Sequence, residues 1–136
     1  MFEHTTKLRV RYGETDQMGY VYYGNYAEFF EVARVEMLRT LGMSYREMEE
    51  SAGIMLPVME LKCKYLKPAL YDEEITIKTT IEEMPGVTIR FIYHLYNEKQ
   101  DLIHIGETTL VFVKIKSNRP CLGPKEFIEK MKPYFE

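Results

Sequence analysis

The sequence predicts an α+β fold in which one antiparallel sheet wraps a single long helix, and three observations carry that reading. Apolar residues recur at three- and four-residue steps from Tyr26 to Leu41, the period of an amphipathic helix. From Ile54 onward the period changes to two, the alternation of strands. Turn signals fall between successive alternating runs, so neighbouring strands are expected to pair antiparallel.

Taken in order, Lys7 to Tyr12 alternates charged and apolar residues and reads as the first strand. A glycine- and tyrosine-rich connection, Tyr12 to Tyr26, leads into the helix. On the helix, Tyr26, Phe30, Ala33, Met37 and Leu41 form the buried stripe, and Phe29 and Leu38 widen it. Glu28, Glu31, Glu36 and Arg39 fall mostly off that stripe, and Gly42 is the expected stop. Ser44 and Glu47 have capping-box spacing for a short second helix toward Ser51, closed by Gly53. Strands follow at Leu56 to Leu66, Glu73 to Glu83, Val87 to Tyr96 and Leu102 to Ile115, with Pro85-Gly86 and Asn97 to Asp101 as connections. Ile75, Ile77, Thr79 and Ile81 share one face and Thr76, Lys78, Thr80 and Glu82 the other, so the sheet is covered on one side, and the long helix is its cover. A last helix is expected over Pro124 to Met131, with Pro124 at the first helical position.

The 136 residues, 46% hydrophobic and free of repeats or linkers, fit one domain spanning 1–136. Lys and Arg total 18 against 21 Asp and Glu, and this net charge of -3 gives no general attraction to nucleic acid. No run approaches the ~18 apolar residues of a membrane span, and the start lacks a signal-peptide layout, so a cytoplasmic protein is expected. Cys63 and Cys121 are expected to be reduced thiols, with Cys63 turned inward between Lys62 and Lys64. His4 is expected in a frayed terminus, and His94 and His104 on neighbouring strands; none has metal-ligand spacing, so no metal site is expected. No Gly-x-Ser-x-Gly elbow is present.

Asp16 lies in the strand-to-helix connection. There, N–H groups of the first helical turn point at a developing negative charge while a loop carboxylate reaches the same spot, an arrangement suited to acyl transfer. The competing role is an Asx-turn or helix cap. Glu14, the rival acid, projects differently and reads as surface charge. Gly19 marks either a positive φ or a close backbone approach to substrate. Tyr22, Tyr23 and Tyr26 have the character of packing aromatics, Met18, Met48, Met55 and Met59 are candidates for an adaptable pocket lining, and Lys62, Lys64, Lys67, Arg90, Lys114, Lys116 and Arg119 read as solvated charges.

Thr15 to Tyr26, as Thr-Asp-x-x-Gly-x-Val-Tyr-Tyr-x-x-Tyr, followed by Lys64-Tyr65-Leu66-Lys67-Pro68-Ala69, resembles the signature of hotdog-fold acyl-CoA thioesterases of the 4-hydroxybenzoyl-CoA thioesterase type, including the branch associated with the Tol-Pal system. The resemblance extends from about Leu8 to about Val113. It implies the same fold and hydrolysis of an acyl-CoA or acyl-carrier-protein thioester, with Asp16 as the essential carboxylate, nucleophile or general base. It also implies that the residue at the Tyr23 position starts the helix and that its backbone N–H polarises the thioester carbonyl. Some members have histidine there; tyrosine departs from that pattern and leaves only the backbone role implied. The basic cluster of the 4-hydroxybenzoyl type is replaced by Pro85-Gly86-Val87, so coenzyme A phosphate contacts are not carried over. A thiol leaves readily, so no cofactor is expected beyond the coenzyme A of the substrate. The sheet edge and apolar flank call for a homodimer, with substrate at its interface as the family implies, and tetramers occur among such proteins. Two alternatives are a hotdog dehydratase or hydratase, for which the helix offers no histidine, and a non-catalytic acyl-thioester binding module.

Overall fold

The computed structural model describes residues 1–136. Its elements are β1 (Phe2–Arg9), 3-10 turns at Tyr12–Glu14 and Tyr23–Asn25, α1 (Tyr26–Thr40), α2 (Tyr45–Glu47) running into a π-helical turn at Met48–Ala52, β2 (Ile54–Met55), β3 (Val58–Tyr65), β4 (Glu74–Ile81), β5 (Thr88–Tyr96), β6 (Leu102–Val111), β7 (Val113–Lys114), β8 (Arg119–Pro120), α3 (Lys125–Met131) and a 3-10 turn at Lys132–Tyr134. Five strands form an antiparallel sheet in the order β1-β4-β5-β6-β3, and β2, β7 and β8 form a small second sheet.

The long helix covers the inner face of the large sheet, as its period requires. Phe29, Phe30, Ala33 and Met37 are buried against a layer that includes Ile77, Phe91, Tyr93, Leu95 and Leu110. Four helical residues rise about 6 Å and two strand residues about 6.6 Å, so every fourth helix residue meets every second strand residue when the two run side by side. Tyr26 and Phe30 on α1 accordingly meet His104 and Gly106 on β6, and Arg34 reaches Thr108 through Tyr93. The Tyr26 ring stacks on His104 at 4.1 Å, and Phe30 sits over Gly106, where an added Cβ would lie 2.1 Å from its Cζ. Arg34 donates to Tyr93 Oη at 3.0 Å, and that hydroxyl is 2.6 Å from Thr108 Oγ1.

Several boundaries differ from the sequence reading, each for a local reason. β1 runs from Phe2 to Arg9, so the first strand starts earlier than Lys7, and His4 is half-buried opposite Thr79 inside a strand rather than in a frayed end. The alternation from Leu102 to Ile115 is unbroken in sequence, yet the chain leaves the large sheet at Phe112, whose N–H donates to the Val87 carbonyl at 2.9 Å. Val113 and Lys114 then pair with β2 and β8. Leu56 and Pro57 interrupt the run from Ile54 to Leu66 because proline has no N–H for the ladder, and β3 carries a register shift between Val58 and Glu60. Pro124 sits one position before α3 with an extended ψ of 138°, at the N-cap rather than the first helical position. Ser44 caps α2 as expected, its Oγ accepting from the Glu47 N–H at 3.1 Å, and Gly42 (φ 74°) and Gly53 (φ 65°) end their helices in the left-handed region. No helix is long and apolar enough to cross a membrane.

Candidate active site

Between β1 and α1 the chain makes a tight loop closed by the bridge between Thr15 and Val21. Asp16 sits at its neck: its N–H donates to the Tyr20 carbonyl at 2.8 Å, and its carbonyl accepts from the Gly19 N–H at 3.0 Å. The side chain folds back over the same turn, with Asp16 Oδ1 accepting from the N–H groups of Met18 (2.9 Å) and Tyr20 (3.3 Å). Both donors converge on Oδ1, so the carboxylate is held in orientation while Oδ2 is left for another partner. Gly19 has φ 81°, and a Cβ there would meet no protein atom within 4 Å. Its requirement is therefore conformational, a left-handed residue that closes the turn, and it also leaves open space beside the loop.

The loop is docked on the second sequence segment singled out above. Val21 N–H donates to the Ala69 carbonyl at 2.8 Å, and Tyr20 bridges to Leu70. Docking these segments leaves a cavity of about 300 Å³ that opens to the surface. One wall is Asp16, Met18, Tyr20, Val21, Tyr23 and Tyr26 from the loop and helix start; the other is Tyr65, Leu66, Lys67 and Pro68 from the end of β3. An acid at the rim of a mostly apolar cavity gives a polar reacting group beside room for an apolar or aromatic substituent.

The helix start is fixed from behind. The Glu14 carbonyl accepts from the Tyr22 N–H at 2.9 Å and from Asn25 Nδ2 at 2.8 Å, which ties the loop to the turn at Tyr23–Asn25. The Glu14 carboxylate, only 9% exposed, accepts from the Arg11 N–H at 2.7 Å and faces the Arg11 guanidinium at 3.4 Å. Glu14 is thus a buried cap and not the surface charge that its sequence position implied. Tyr23 opens the 3-10 turn ahead of α1, so its N–H is among those that the turn's own hydrogen bonds leave unpaired. The side chain of Tyr23 is 65% exposed.

Behind the cavity stands a cluster of rings. His104 is fully buried, and neither ring nitrogen has a hydrogen-bond partner. Burial pushes its pKa down to about 4, so the ring is neutral near pH 7. It stacks on Tyr26 and meets the edge of Tyr65 at 4.8 Å. The Tyr65 phenol, pushed up to about 12 by burial and by the neighbouring Cys63 thiol, donates to the Tyr23 carbonyl at 3.1 Å.

A model of the Thioesterase-like superfamily matches residues 10–131, which takes in the loop, the helix and every strand of the large sheet except β1. The chain belongs to the thioesterase-like superfamily. It is 30% identical over 125 residues to the acyl-CoA thioester hydrolase YbgC of Escherichia coli O157:H7, covering 92% of each chain. Its identity to the acyl-CoA thioesterase YbgC of Haemophilus influenzae is 31% over 119 residues, covering 88% of this chain and 87% of the relative. The crystal structure of DHNA-CoA thioesterase from Staphylococcus aureus matches with a TM-score of 0.85 at 36% identity, over 99% of this chain and 85% of that one. With its sheet wrapped around α1, this member of the superfamily has the hotdog fold.

Within this thioesterase-like chain, Asp16, Tyr23 and Met18 line one cavity, and Gly19 shapes the loop that carries the first of them. The other methionines disperse: Met48 is buried by the π-helical turn, Met55 is half-buried on β2 and Met59 is exposed on β3. Of the basic residues, Lys67 alone reaches the cavity wall, where its ammonium lies 3.4 Å from Asp101. No group of three or more His, Cys, Asp or Glu side chains converges. Sequence reasoning missed Glu14, Asn25 and the pairing of Tyr65 with His104. A signal existed only for the last, since His104, Gly106 and Thr108 share one face of an alternating strand and Tyr65 lies in the second motif.

Proposed function

We propose that this chain hydrolyses an acyl-CoA or acyl-carrier-protein thioester to a free acid and a thiol, with Asp16 as the reacting carboxylate and the Tyr23 N–H as oxyanion donor. The observation that carries the reading is that Asp16 and the start of α1 line the same cavity, with Asp16 Oδ2 not engaged by the loop donors. In one route Oδ2 attacks the thioester carbon, the C–S bond breaks, the thiolate takes a proton from water, and water then hydrolyses the acyl-aspartyl anhydride. In the other, Asp16 takes a proton from a water that attacks directly. Both routes place negative charge on the carbonyl oxygen, where an N–H ahead of the first helical bond is worth on the order of 10²–10³ in rate. The positive end of the α1 dipole adds to it. A lyase reading is disfavoured because His104 lies behind the Tyr26 ring and is not among the residues lining the cavity.

The outer edge of β3 is open for pairing, and Val58, Met59, Leu61 and Tyr65 along it are each about half exposed or more. Lys62, Lys64 and the register shift between Val58 and Glu60 blunt this edge in part, and a second copy would cover its apolar residues, so the working unit proposed is a homodimer or a tetramer built from it. Cys63 and Cys121 are free thiols, in keeping with a cytoplasmic setting.

The test is thiol release from a panel of short, long and aryl acyl-CoA thioesters, with the acid product followed in parallel. Equimolar thiol and acid are expected from at least one member. Conversion with the thioester bond intact would identify a lyase, and binding without conversion would leave an acyl-thioester carrier.

A further inference from the structure

We propose that Tyr65 is a positioning residue for the oxyanion donor, acting through the carbonyl of Tyr23; this rests on the thioesterase reading above. The Tyr23 N–H belongs to the peptide plane it shares with the Tyr22 carbonyl, and peptide planarity makes the two groups point in opposite directions. The Tyr22 carbonyl accepts from the Asn25 N–H at 2.9 Å, which sets the tilt of that plane on one side. The next plane, carrying the Tyr23 carbonyl, is held by the Tyr65 hydroxyl at 3.1 Å. With both flanking planes pinned, the two soft dihedrals of Tyr23 are fixed, and so is the direction of its N–H.

The Glu14 carbonyl holds the same turn from behind through the Tyr22 N–H and Asn25 Nδ2, and the Tyr65 hydroxyl holds it from the cavity side. Tyr22 and Tyr23 are 46% and 65% exposed, and the plane that Tyr65 holds continues into Gly24, the middle residue of the 3-10 turn. Tyr65 is itself rigid where it matters. It is the last residue of β3, paired across the ladder with His104, and its ring stands edge-on to His104 at 4.8 Å and to Tyr26 at 5.3 Å. The fully buried His104 and Tyr26 thus form the wall that aims the hydroxyl. The orphaned nitrogens of His104 fit this role, since a neutral ring packed by stacking serves as a wall without a hydrogen bond of its own.

The position is distinct from a contact with substrate. The ring of Tyr65 forms part of the cavity, whereas its hydroxyl is turned to the main chain. Removing the oxygen alone leaves the cavity wall in place and releases the Tyr23–Gly24 plane, together with the contact to the Cys63 thiol.

The experiment is steady-state kinetics of Tyr65→Phe beside the wild type on one thioester, across pH, with thermal melting of the same samples. The expected result is a kcat about tenfold lower, a KM within about twofold, an unchanged shape of the pH profile and an unchanged melting temperature. Tyr65→Leu, which also removes the ring wall, is expected to raise KM in addition. An unchanged kcat for Tyr65→Phe overturns the proposal, as does a loss confined to KM or melting temperature. A pH limb that disappears in Tyr65→Phe overturns it too, by making the phenol a direct proton donor. If the wild type releases no thiol from any thioester, the thioesterase reading fails instead.

Discussion

The two roles of Asp16 that compete when only the sequence is read are compatible in the structure. Its Oδ1 closes an Asx-type turn, and under the proposed function that same bond orients the carboxylate whose other oxygen would react. The placement of Asp16, Gly19 and Tyr23 in the loop and turn ahead of α1 was legible because they sit in a local motif. Glu14 was not, since its burial depends on the chain folding back onto the Arg11 N–H. His104 carries a consequence of its own. Its pKa falls from 6.5 unfolded to about 4 folded because burial disfavours the cation. The unfolded chain therefore takes up the proton first as pH drops, so the contribution is intact above about 6.5 and is lost progressively as pH falls to about 4, by roughly 3 kcal/mol. Burial also lowers His4, with Glu36 opposing, so part of the acid sensitivity belongs to a second site. Urea unfolding from pH 7 to pH 4 is expected to be distinctly less pH-sensitive in His104→Phe than in the wild type. Coincident profiles would contradict this account of the buried ring.

At the scale of elements, α1 and β6 are fitted to one another through a single missing side chain. Gly106 lies between Cys63 and Tyr93 in the sheet, and Phe30 occupies the space where its Cβ would be. Gly106→Ala is expected to destabilise the fold by about 2–3 kcal/mol through forced displacement of a fully buried ring. Phe30→Leu in the same chain should restore part of that loss, because it vacates the contested volume. Denaturant titration of the single and double variants measures both effects, and additive losses would contradict the contact. The helical stripe and the strand alternation were readable because each reflects one face against one core. The passage from β6 to β7 was not, since Phe112 preserves the alternation while its N–H changes partner to the Val87 carbonyl.

For the whole molecule, the exposed edge of β3 is the surface on which the proposed assembly rests. Its exposed residues mix Glu60, Lys62 and Lys64 with Val58, Met59 and Leu61, so charge and apolar surface lie along one strand. Sequence periodicity reports which face is buried in one chain and carries no information about a second. The exposed apolar edge favours the interface. Light scattering at micromolar concentration is expected to give at least twice the 16.2 kDa chain mass for the active species. An active species with the mass of one chain would remove the role assigned to this edge.

The central claim is that the Asp16 carboxylate performs the chemistry, and Asp16→Asn tests it most directly. Asparagine keeps a side-chain oxygen to accept from Met18 and Tyr20, so the turn is preserved while the negative charge is lost. Thiol release and far-UV circular dichroism on the same sample are expected to give a native spectrum with turnover reduced by at least ~10²-fold, the loss that accompanies removal of a nucleophile or general base. Retention of more than about a tenth of wild-type turnover by the folded variant would contradict the account.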